Sequence, residues 1–167
     1  NLSNEKKKNV VKNIEVSFNN GEITIRNDGN GIDIAKHPKD KIWIPEMIFG
    51  HLRTSTNYDK KQKKIVGGKN GFGVKLIFIW SEWGQIETVD HVRQLKYVQT
   101  FKNNLDIIDP PVITKCKRKP YTKISFKPDF KRLKIQNLHS MKSLFKKRVY
   151  DMTAVTDKSI KVKYNGE

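Results

Sequence analysis

"IEVSFNNGEITIRNDGNGI" occupies residues 14–32, and its spacing decides what kind of sheet the chain builds. Ile14, Val16 and Phe18 alternate with polar residues, "NNGE" turns the chain, and Ile23 and Ile25 resume the alternation. Period-two alternation on both sides of a short glycine-containing turn predicts a β-hairpin with one apolar face. The second strand runs straight into "NDGNGI", whose glycines reach backbone conformations closed to other residues. A polar side chain at such a bend can hydrogen-bond the edge of a base, while the glycines let the base lie against the backbone.

A second glycine cluster lies in "IVGGKNGFGVKL", residues 65–76, with Gly67, Gly68, Gly71 and Gly73 interleaved with Lys69 and followed by Lys75. Backbone N–H groups that converge at a glycine-rich bend before a helix form an anion site. Standard phosphate motifs fit it badly. Gly68 and Gly73 have Walker spacing, but Val74-Lys75-Leu76 follows instead of Lys-Ser/Thr, and the third glycine of a dinucleotide or kinase loop is missing. Two glycine loops separated by a helix can nevertheless grip the two ends of one nucleotide, base at the first and phosphates at the second.

Around these loops, Pro45 opens a short helix over "PEMIFGHL", and a second helix is expected from Gly71 to about Ser81. Residues 86–90, 97–101 and 123–126 read as strands. "IIDPPVI" reads as a proline-stiffened connection outside any central strand. Met141, Leu144, Phe145, Val149 and Met152 fall at helical spacing on one face, with Ser140 as a candidate cap. Ile160, Val162 and Tyr164 mark a last strand. No repeat or linker divides the chain, so residues 1–167 read as one α+β domain, helices packed on a mixed, mostly antiparallel sheet.

Lys and Arg number 34 against 17 Asp and Glu, a net charge of +17. That excess predicts attraction to a polyanion, foremost nucleic acid, with a generally solvated lysine-rich surface as the bland alternative. A lone cysteine, Cys116, excludes an internal disulfide framework, and four dispersed histidines give no zinc spacing. The strongly apolar run at residues 76–80 is far too short to span a membrane.

Taken together, "IRNDGNGI", "IWIPEMIFGHLRTSTNYD" and "VGGKNGFGVKL" resemble the ATPase region of type IIA DNA topoisomerases, the eukaryotic and large-virus branch. The likeness continues more loosely through "YTKISFKPDF" and "KRVYDM", and so covers nearly the whole chain. It implies the GHKL (Bergerat) ATPase fold, with helices on one face of the sheet, and ATP and Mg2+ as cofactors. By resemblance Asn27 contacts the adenine, Gly29 and Gly31 fill the glycine positions beside it, and Ile32 and Ile48 line the base pocket. Ser55, Thr56 and Asn57 match the segment touching ribose and phosphates. Gly68, Lys69, Asn70, Gly71, Phe72, Gly73, Val74 and Lys75 match the phosphate lid, with Lys75 as the charged contact, and Ser125 stands where relatives carry a threonine at the pocket floor.

The family also needs a glutamate four residues before an asparagine, the first to activate water and the second to hold Mg2+. "EKKKN", Glu5 to Asn9, has the spacing but lies among lysines with no apolar face, close to the first strand. The general base is therefore expected upstream of Asn1, with no metal ligand in this chain and with the upstream helices and downstream transducer domain lacking. The implied role is ATP-driven gate closure during double-strand DNA passage by an intracellular homodimer, nuclear in a eukaryotic cell, or in the host cytoplasm or nucleus if viral. Two other readings stand beside it: another GHKL ATPase of mismatch-repair or chaperone type, and a basic, non-enzymatic DNA-binding module.

Overall fold

The structure, a computed structural model, describes residues 11–51 and 73–167. The expected hairpin forms from β1 (Asn13–Asn19) and β2 (Glu22–Asn27), paired antiparallel with Phe18 opposite Ile23. Asn20 and Gly21 turn it with φ of 49° and 81°, the left-handed pair that matches a hairpin's twist. The chain continues through α1 (Ile44–Gly50), α2 (Gly73–Ile79), β3 (Ser81–Asp90), β4 (Leu95–Lys102), β5 (Ile107–Ile108), β6 (Val112–Lys115), β7 (Tyr121–Pro128), α3 (Leu138–Val155) and β8 (Lys161–Tyr164). Strand order is β5-β4-β3-β7-β2-β1-β8, with β6 also on β4. Of these pairings only β1 with β8 is parallel.

Strand register builds the core. Phe18, Ile23, Phe126, Gly84 and Phe101 form one row across β1, β2, β7, β3 and β4. Phe78 of α2 lies on the gap that Gly84 leaves, stacked on Phe101 at 4.8 Å; a Cβ on Gly84 would stand 2.4 Å from the Phe78 ring. Phe49 of α1 meets Phe78 at 5.8 Å, and Phe145 of α3 meets Phe18 at 5.7 Å. The helices therefore cover the same face, each buried aromatic contributing about 2–3 kcal/mol of apolar transfer. No helix among the described residues is long and apolar enough to cross a membrane.

Boundaries shift where local hydrogen bonds intervene. Ser81, expected in the second helix, opens β3, and its hydroxyl donates to Ile77 O at 2.6 Å to close the last turn. Asn137, not Ser140, caps α3: its Oδ1 accepts from the N–H groups of His139 and Ser140 at 2.9 and 3.2 Å. Met141 and Phe145 pack on the core and Val149 is buried, but Leu144 and Met152 are 46% and 43% exposed, so the apolar stripe of α3 is narrower than its spacing implies. "IIDPPVI" lies in no central strand, but β5 and β6 form on either side of its prolines and join the margin of the sheet by pairing with β4.

Candidate functional site: a polar strip at the end of the sheet

From Asn27 the chain crosses the end of β3. Gly31 makes this possible: its φ is 76°, and a Cβ there would stand 2.0 Å from Val89 O. The crossing loop is pinned at three points. His91 N donates to Asn30 O at 3.2 Å, Ile32 N to the Thr88 hydroxyl at 3.0 Å, and Ile34 N to buried Asp90 Oδ2 at 3.2 Å. The Thr88 hydroxyl in turn donates to Tyr121 O at 2.9 Å, which joins loop, β3 and β7 through one oxygen.

Asp28 ties the loop to the other side. Its carboxylate accepts from Lys12 N at 2.8 Å, Asn13 N at 2.9 Å and Asn13 Nδ2 at 2.6 Å. Burial alone raises its pKa, but the hydrogen bonds from Asn13 and Lys12 outweigh that and hold it below the ordinary 3.8. Asp28 is thus committed to the fold. Asn27 Oδ1 accepts from Gly29 N at 3.1 Å, an Asx turn that fixes the amide at the strand's end.

Register carries Asn27 into a second row, Asn27–Thr122–Thr88–Tyr97, running across β2, β7, β3 and β4 on the helix-covered face. The Thr88 and Thr122 hydroxyls lie 3.2 Å apart. Here the covered face changes from apolar to polar, with Ile32, Ile48 and Val74 packed on the adjoining core. An amide and two hydroxyls in line, flanked by aliphatic side chains, suit a flat ring with a polar edge. Gly73 opens α2 with no left-handed φ, and a Cβ added to it would meet no atom of the described residues within 4 Å, so neither strain nor crowding among them requires glycine there. Lys75 is 2% exposed, and burial lowers its pKa from 10.5.

One expected residue is corrected. Ser125 lies an odd number of positions from Thr122 on β7, so it faces the other side of the sheet, where its hydroxyl meets Thr24 Oγ1 at 2.9 Å. Thr122 takes the place beside Asn27. Ser55, Thr56, Asn57, Gly68, Lys69, Asn70, Gly71 and Phe72 lie outside the described residues, as do Glu5 and Asn9. Sequence reasoning missed Thr88, Thr122, Asp28 and Asp90. The first two had a readable signal, a polar residue at an inward position of an alternating strand. Among the described residues no group of three or more His, Cys, Asp or Glu could hold a metal ion.

No protein-family model matches the chain. It is 46% identical over 161 residues to DNA topoisomerase 2 of Candida glabrata, covering 94% of this chain and 11% of that protein. Against DNA topoisomerase 2 of Acanthamoeba polyphaga mimivirus it is 46% identical over 153 residues, 91% of this chain and 12% of that one. The chain thus spans about a ninth of the length of these relatives. Its structure superposes on the ATPase region of Saccharomyces cerevisiae topoisomerase II with a TM-score of 0.89 at 44% identity, over 94% of this chain and 42% of that one. The ATPase domain of Thermus thermophilus gyrase B shares the fold, with a TM-score of 0.56 at 22% identity over 72% of this chain and 29% of that one.

Proposed function

Because the chain belongs to the type IIA DNA topoisomerase family and has the GHKL fold of that family's ATPase region, we propose that the strip at the end of the sheet receives the adenine of ATP. The observation that carries this reading is the in-register row of Asn27, Thr122 and Thr88 under a loop that only Gly31 lets lie against β3. Asn27 and Thr122 would meet the base edge, Ile32 and Ile48 its faces, and Gly29 would leave room beside the Asn27 amide. Lys75 would face the phosphates: a buried ammonium whose pKa is lowered by desolvation gains from an arriving anion.

Mg2+ would arrive on the nucleotide's own oxygens, since the ion keeps much of its shell on phosphates and water. Hydrolysis needs a carboxylate placed to take a proton from water, and no described residue is assigned that role. In the protein to which this region belongs, ATP binding would close a dimeric gate around double-stranded DNA and hydrolysis would reopen it. Such a protein works inside a cell, where DNA is.

Isothermal titration tests the reading. Asn27→Ala should weaken ATP binding by roughly 1–3 kcal/mol, the value of one buried hydrogen bond left unmade. Lys75→Met should weaken ATP more than AMP, which lacks the outer phosphates. Unchanged affinity in both variants, or equal losses for the two nucleotides in Lys75→Met, would remove the assignment.

A further inference from the structure

The face of the sheet turned away from the helices holds a second row. Lys163, Glu15, Arg26, Lys123 and Glu87 are in register across β8, β1, β2, β7 and β3. At about 4.8 Å per strand, Lys163 and Lys123 stand about 14 Å apart. The row floors an open depression of about 670 Å³, with Arg118 and Lys119, from the β6–β7 connection, on its rim. A smaller one of about 320 Å³ adjoins it through Ser17 and Thr24.

Both acids of the row are already engaged. Glu15 pairs with Arg26 at 3.4 Å, and Arg26 also lies over the Tyr121 ring at 4.9 Å. Glu87 pairs with Lys96 at 3.0 Å and accepts from Tyr121 Oη at 2.5 Å. Lys123, Lys163, Arg118 and Lys119 make no ion pair among the described residues. They surround one depression, seven of whose twelve lining residues are charged, and its two large apolar ones, Val16 and Tyr121, are buried. Tyr121, the ring in that lining, is covered by Arg26. A protein partner would need apolar anchors seated in pockets, which this surface does not offer. A phosphate backbone needs positive charge at a spacing it can follow, which it does.

We propose that the helix-free face of the sheet is a docking surface for the phosphate backbone of duplex DNA, with Lys123, Lys163, Arg118 and Lys119 as its contacts. The inference rests on DNA being the partner, as proposed above, and adds where the chain would touch it. Binding of this kind fixes position without reading sequence and releases counterions, so it is steeply salt-dependent.

The test compares the full chain with two quadruple variants in a salt titration against a fluorescent duplex of mixed sequence. One variant is Lys123→Gln, Lys163→Gln, Arg118→Gln and Lys119→Gln. The other neutralises four exposed lysines elsewhere, Lys131, Lys142, Lys146 and Lys158, to glutamine. The first should flatten the slope of log K against log salt by about three to four, near 0.9 for each phosphate left without its cation, with ATP affinity unchanged. The second should move the slope by less than about one. Equal slope changes would reduce the effect to generic charge and overturn the proposal. An unchanged slope in the first variant, or loss of binding to polyglutamate instead of DNA, would do the same. If the unaltered chain fails to bind the duplex at all, the DNA reading itself falls, while ATP titration still reports on the nucleotide site.

Discussion

The two faces of this sheet use alternate residues of the same strands. On the covered face the row Phe18–Ile23–Phe126–Gly84–Phe101 is sealed by α1, α2 and α3, and the row Asn27–Thr122–Thr88–Tyr97 turns polar at the end of the sheet. On the open face, Lys163–Glu15–Arg26–Lys123–Glu87 meets solvent. A shift of one residue would exchange the faces, so the pleat separates a helix-covered strip from a solvent-facing one with no extra layer. The difference teaches where each kind of specificity comes from. The covered strip depends on fixed, partly buried hydrogen bonds, and the open row on charge that salt can screen.

The largest blow to the covered strip should come from Gly31→Ala. A Cβ 2.0 Å from Val89 O, on a backbone at φ 76°, forces the loop off β3. Chemical denaturation should show a loss of about 3–5 kcal/mol, combining left-handed strain with the clash. A loss under about 1 kcal/mol would mean that the loop does not need to lie against β3.

Next in size is a comparison across the sheet. Thr122→Val should weaken ATP by about 1 kcal/mol, the scale of one net hydrogen bond. Ser125→Ala, three positions along the same strand, should leave ATP affinity unchanged, because its side chain meets Thr24 on the other face. Equal effects in titration would break the distinction between faces.

Acid unfolding sharpens the account of Asp28. Its pKa is depressed in the folded state, so its contribution is fully present above the ordinary 3.8 and is lost as pH falls through the lower folded value. The stability difference between the native chain and Asp28→Asn should therefore be constant above about pH 5 and change only on the acid limb. A difference that grows between about pH 5 and pH 8 would contradict the assignment.

Smallest is Gly73→Ala. With no atom of the described residues within 4 Å of the new Cβ and no left-handed φ, melting should be unchanged or raised by a few tenths of a kcal/mol through helix propensity. A marked loss would mean that glycine serves something at this position besides the fold.

Much of this is legible in the residues. The hairpin, both early helices, the central strands and the last strand follow from alternation and turn chemistry, and three ordered motifs point to the fold. The expectations that fail do so for identifiable reasons. Motif likeness puts Ser125 in the pocket, although its own strand, "TKISF", sets Thr122, Ile124 and Phe126 on one side and Ser125 on the other. The α3 cap goes to Asn137 because its carbonyl oxygen can reach two N–H groups at once. Leu144 and Met152 remain exposed because α3 lies near the sheet edge, against β8 and β1, where one helix face finds less to cover.

By itself the sequence determined which residues alternate, where glycine permits a bend and how much positive charge the chain carries, because those are properties of neighbours along one strand. Only the tertiary structure decided that Thr88, 61 positions beyond Asn27 in the chain, stands in its row, and that Lys163 shares a row with Lys123. Strand order and register set those rows, and both follow from packing Phe78 onto Gly84 and Phe145 onto Phe18 across the whole sheet, a long-range choice that local residue patterns do not specify.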